Sequence, residues 1–184
     1  MKKLLVLATL VLLVFSMQGE AFAADVALTS VGQSPDAMMI RVVLRNMGIN
    51  HVYDSLMKAE DLSDQRVFVA VVGGSSKGLG AAGIDKEQEK DRAIRLIETA
   101  RQKGIKVLVM HVGGAGRRGQ LSDLFIEAVV PLADALIVVE GGNEDGLFDR
   151  LIEGKDIPMH GADSVKGTNI PLEKVLTGWG VTAG

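Results

Sequence analysis

Three stretches of the chain are apolar almost without interruption, at residues 66–72, 105–112 and 133–139. Such β-branched runs, unlike alternating ones, predict strands buried on both faces of a parallel sheet covered by helices. Between them the spacing changes. Leu121, Leu124, Phe125, Ala128, Val129 and Leu132 recur at helical intervals and predict one apolar helix face, ending near Pro131. Ahead of the second run, Asp85 with Gln88 predicts a capping box. Solvated first turns follow, and then a buried stripe of Ala93, Ile94, Ile97 and Ala100 that Gly104 ends.

The same alternation begins earlier in the chain. Residues 25–30 predict a short apolar strand, and residues 31–36 turn it into a helix with Ser34 as N-cap, Pro35 at N1 and Asp36 complementing the dipole. That helix runs to Met47 and stops at Gly48. Residues 49–54 suit a polar edge strand, and 55–65 one or two helical turns. After the third buried run comes a short helix at 147–153. From about residue 154, Pro158, Gly161, Gly167, Pro171 and Gly178 break the pattern into an irregular appendage with one last helix at 172–176.

Strands alternating with helices on short loops predict an α/β fold. The expectation is a single three-layer domain over residues 24–184, Rossmann-like or flavodoxin-like, with a five-stranded parallel sheet in the order 2-1-3-4-5. That order puts the switch point between strands one and three, where ligands of open α/β sheets bind. Loops 31–34 and 73–83 flank the crevice, with 113–119 beside it.

Composition adds a compartment. Lys2 and Lys3, the apolar residues 4–15 and Ala21-Phe22-Ala23 form the three parts of an export signal, so residues 1–23 are expected to be removed and the mature chain to be periplasmic or extracellular. The apolar run is shorter than the roughly 20 residues that span a bilayer, so no membrane insertion is expected after cleavage. A chain without cysteine has no disulfide to rely on, and its stability must come from the core. The formal charge of −3 gives no reason to expect a nucleic acid partner.

Four blocks carry a resemblance: residues 29–34 (Thr-Ser-Val-Gly-Gln-Ser), 73–83, His111-Val112-Gly113-Gly114 with Arg117-Arg118-Gly119, and Glu140-Gly141-Gly142-Asn143. They resemble an uncharacterised family of exported bacterial α/β proteins that bears a domain-of-unknown-function label. The resemblance spans most of the mature chain and brings no activity with it.

The candidate chemistry lies in the loops. Glycines at 32, 73, 74, 78, 113 and 114 let backbone approach a ligand, and Lys77, Arg117 and Arg118 add charges suited to a carboxylate or phosphate. Ser30, Gln33, Ser34, Ser75, Ser76, His111 and Glu140 complete the expected ligand-binding set. Each has a plainer role open to it, as turn, cap, buried polar partner or solvated loop charge. Gly74-Ser75-Ser76-Lys77-Gly78 also fits the nucleophile elbow, with Ser76, Asp145 and His160 in hydrolase order; the glycines that follow are expected to delay the helix to Asp85, against an elbow. The same loop resembles that of short-chain dehydrogenases, but Tyr53 precedes it and Met57 stands at the lysine position of a Tyr-x-x-x-Lys pair. No cofactor is expected. The histidines lack metal-ligand spacing, so no metal is expected either.

The sequence therefore leads to an exported module that binds an anionic or polar metabolite at the carboxyl edge of the sheet, serving a membrane transporter or sensor. A small serine hydrolase using Ser76 or Ser75 is the alternative, and a protein-interaction domain a further one. The export signal gives the first test. N-terminal sequencing of protein from its native envelope should begin at Ala24, and an intact Met1 would contradict it.

Overall fold

The computed structural model describes residues 24–184, and the expected signal segment lies outside the described residues. Six parallel strands form one sheet in the order β2-β1-β3-β4-β5-β6. They are β1 (Val26–Val31), β2 (His51–Tyr53), β3 (Val67–Val72), β4 (Lys106–His111), β5 (Ala135–Val139) and β6 (Met159–Ala162). The helices are α1 (Asp36–Asn46), α2 (Ser76–Ala82), α3 (Lys86–Gln102), α4 (Gln120–Val129), α5 (Leu147–Ile152) and α6 (Asn169–Gly178).

The continuous apolar runs are the central strands, and the pleat divides each between two cores. Val67, Val69 and Val71 pack with Ile40 and Leu44 of α1 and Leu172 and Leu176 of α6. Phe68, Ala70 and Val72 face the other way, toward Leu96 and Ile97 of α3 and Phe125 and Val129 of α4. Every residue of β3 is buried. The register pairs Val31 with Val72, Val71 with Met110 and His111 with Val138, so the loops after these strands emerge along one edge.

Four expectations need correction. The sheet has six strands because β6 pairs with β5 inside the stretch expected to be irregular. Its Met-His-Gly-Ala sequence carries no apolar run, and none of its residues is fully buried. A separate helix also begins at Ser76, ahead of the one that Asp85 caps and despite three glycines: Ser75 caps it by accepting the Gly78 N–H at 3.0 Å, and Gly83, at φ 69°, closes it. The first turns of α3 are not all solvated, since Glu89 is fully buried. At α1 the helix proper starts at Asp36, and Ser34 Oγ accepts the Asp36 N–H only at 3.4 Å. The Asp85–Gln88 capping box forms in both directions, as its spacing predicts.

Val69→Asp should lower stability by several kcal/mol, because a charge would enter a strand buried on both faces. Thermal unfolding measures it. A midpoint within a degree or two of the parent would contradict the central placement of β3.

Candidate functional site

The carboxyl edge between β1 and β3 is held from below by a buried ion pair. Glu89, one turn into α3, is fully buried, and Arg92 at i+3 grips it through Nε and Nη2, each at 2.8 Å. The carboxylate also accepts the Gly32 N–H at 2.8 Å and the Gln33 side-chain amide at 3.1 Å. Arg92 in turn donates to the carbonyls of Ser30 at 2.5 Å and Met57 at 2.9 Å. A helix on one face of the sheet thus fixes the end of β1. Gln33, also bonded to the Ser55 carbonyl, has a left-handed backbone at φ 59° and bridges antiparallel to Gly74. A non-glycine residue held there stores strain that its surroundings must offset.

The glycines of the edge let loop meet loop. A Cβ on Gly78 would stand 2.0 Å from the Gln33 carbonyl oxygen, one on Gly74 2.7 Å from Leu121, and one on Gly114 2.8 Å from the Glu140 carbonyl oxygen. The Gly74 N–H donates to Ser122 Oγ at 2.9 Å, and the Ser30 hydroxyl to the Ser34 carbonyl at 3.0 Å. Much of the N–H surface expected to face a ligand is therefore spent on other loops. Ser75 is a cap, while Ser76 and Lys77 are exposed at the start of α2.

Two glycines do something different. Gly73 and Gly113 flank the carboxylate of Asp36, and a Cβ on either would come within 3.1 Å of Asp36 Oδ2. The same Cβ on Gly113 would meet the Cβ of Arg117 at 2.2 Å. Asp36 is 1% exposed, and its Oδ2 has no hydrogen-bond partner among the described residues. Arg117 Nε lies 3.3 Å from that oxygen, and the arginine is about one-third exposed. The result is a buried acid lidded by a half-open base at the switch point. Ser34, also buried, puts its hydroxyl against Gly73 beside them.

His111 closes the back of this cluster. Its Nδ1 faces the Val72 carbonyl at 3.1 Å and its Nε2 the Gly114 carbonyl at 3.3 Å, so neither nitrogen is turned toward a ligand. Burial pushes its pKa below the ordinary value, with the two carbonyls pulling the other way.

Arg118 does not join Arg117. It forks onto Asp145 at 2.9 and 3.0 Å, reaches Asp123 at 2.8 Å and the Gly142 carbonyl at 2.6 Å, and lies over the Phe148 ring. The arginine holds the Asp145 carboxyl down to about 2. This also bears on Ser76, Asp145 and His160: no hydrogen bond links any two of them, and Asp145 is committed to Arg118. The helix start at Ser76 suits an elbow, but no base among the described residues hydrogen-bonds the serine. Glu140 is exposed and forms no ion pair with either arginine.

Asp36, Glu89 and Arg92 were not among the expected site residues, and Asp36 was expected only to complement the helix dipole. Glu89 had a signal, because it extends the stripe of Ala93, Ile97 and Ala100 one turn back at i−4; in that stripe Ile94, expected to be buried, is half-buried, and Leu96 is buried instead. Asp36 had only its position, since the first turn of a helix that follows a parallel strand lies at the carboxyl edge.

A family model described as a domain of unknown function, DUF6305, matches residues 23–176. The chain belongs to that family. No functionally curated protein matches it. Among solved structures, AlinE4, an SGNH-hydrolase family esterase, aligns at 12% identity over 83% of this chain and 92% of its own, with a TM-score of 0.31. A mutant of the same esterase gives 0.30 over the same shares. Overlap at that level carries no argument about this chain.

The Asp36 cradle can be tested directly. Gly113→Ala should cost about 1–3 kcal/mol by forcing Arg117 off the carboxylate, whereas Gly116→Ala, with open space around it, should stay within about 0.5 kcal/mol of the parent. Urea unfolding of the two variants decides it. Equal midpoints would remove the close approach from the account.

Proposed function

We propose that this chain is an exported binding domain for a small anionic or polar metabolite, taken up at the carboxyl edge between the loops after β1, β3 and β4. The observation that supports it is the Asp36–Arg117 pair. A buried carboxylate oxygen that accepts no hydrogen bond and meets only a half-open arginine at 3.3 Å is costly, and a protein that keeps one usually has a use for it. Arg117 supplies the ligand's counter-charge: beyond its Asp36 contact, its guanidinium hydrogen-bonds to no described residue, so its outer fork is free for a carboxylate or phosphate. Asp36 holds that fork in place and can accept a hydrogen bond from a polar group on the ligand. Strain at Gln33 fits a loop fixed in advance for binding. Such a module would hand its ligand to a transporter or report it to a sensor.

The start of α2 at Ser76 keeps serine hydrolysis as a second reading. Covalent labelling of Ser76 by a serine-directed fluorophosphonate would favour it, and an unlabelled protein would remove it.

Native mass spectrometry of protein from its own envelope should find the ligand, and calorimetric titration then tests the site. Arg117→Ala should weaken binding by about ten- to a hundredfold, the loss of a charge-assisted hydrogen bond of roughly 1.5–3 kcal/mol, and should flatten the salt dependence. Arg118→Ala should instead lower stability, because its partners lie within the protein. Unchanged affinity and salt dependence in the Arg117 variant would overturn the proposal.

A further inference from the structure

The described residues border a half-open hollow away from the glycine loops. It has a volume of about 680 Å³ and lies between α3 and the β2–β3 connection. Its apolar wall is Leu56, Ala59 and Ile84, all half-buried, with Ile84 packed onto the α3–α4 core. Three cations, Lys58, Arg92 and Arg95, line the rest together with Glu60, Gln88 and Asp91. Arg92 is neutralised by Glu89, but Lys58 and Arg95 form no ion pair with any described residue. Asp91 and Glu60 stand in the same lining and engage neither of them.

We propose that this hollow is a binding site for a small amphiphilic carboxylate. The volume falls within the range of small-molecule sites, roughly 300–1,000 Å³. An arginine fork with no partner among the described residues matches a carboxylate in geometry and charge, and Lys58 adds a second cation on the opposite wall. The apolar wall takes a short alkyl or aryl body, whose transfer from water contributes roughly 25 cal/mol per Å² buried. Neither feature alone makes the site. A bare inorganic anion would leave the apolar wall wet, and a neutral hydrocarbon would leave the Arg95 fork unused. The site does not depend on the one at the carboxyl edge, although Arg92 touches both.

Octanoate is the probe, titrated into the purified protein with methyl resonances of Leu56, Ala59 and Ile84 observed by NMR. These methyls should shift saturably, while octylamine, equal in length and opposite in charge, and acetate, with charge but no body, should each bind at least about tenfold more weakly. Arg95→Ala should weaken octanoate by about tenfold or more at unchanged melting temperature, since the Arg95 side chain is exposed and bonded to no described residue. Ala59→Phe, which fills the hollow from its half-exposed wall, should abolish the shifts. No saturable binding, equal binding of octanoate and octylamine, an unaffected Arg95 variant, or shifts centred on the exposed Met38 and Val42 would each overturn the proposal.

Discussion

The carboxyl edge of this sheet depends on one buried charge. Glu89 is out of contact with water, and a carboxylate in that position is tolerable only if it is paired and both its oxygens are hydrogen-bonded. Here both are: Oε2 accepts from Arg92 Nε, and Oε1 from Arg92 Nη2, the Gly32 N–H and the Gln33 amide. The partners come from different layers, so satisfying the charge also fixes where the loop after β1 can lie. Gly78 and Gly74 then close against that loop at backbone distance. Removing Arg92 would strand the charge, at a cost of roughly 3–5 kcal/mol for a broken buried pair, and the left-handed Gln33 would lose the frame that holds it.

The central architecture was legible because burial on both faces leaves an uninterrupted apolar run, and β3, β4 and β5 each have one. Helical spacing marked α3 and α4, and the strand order followed from alternation and connection length. The rest escaped for physical reasons. β6 is a half-exposed edge strand of four residues, and its pairing with β5 is a backbone event that its side chains do not announce. At α2, low glycine propensity pointed to a loop, but a serine cap, a left-handed Gly83 and packing against Gln33 offset it.

The candidate site was legible in place but not in parts. Topology located the crevice, because loops after parallel strands must gather at one edge. Composition then pointed at glycines, serines and both arginines as if all faced outward. Packing sorted them: Gly74, Gly78 and Gly114 serve loop contacts, Arg118 serves Asp123 and Asp145, and Arg117 alone of the arginine pair sits over the switch point. Which of two adjacent arginines meets an acid depends on contacts far apart in sequence, and no local pattern carries that.

The two outer strands have a bearing on how this molecule behaves in a crowd. A sheet ends in a row of unpaired backbone groups that can recruit another chain, and long flat margins are the usual route to self-association. Here β2 spans His51–Tyr53 and β6 spans Met159–Ala162, against six residues each in β1, β3 and β4. The sheet tapers at both sides, so a second copy laid against either margin would find only a few rungs before the ladder ran out. For a protein without disulfides to bar alternative pairings, a narrowed margin is a passive safeguard against polymerisation built into strand length alone.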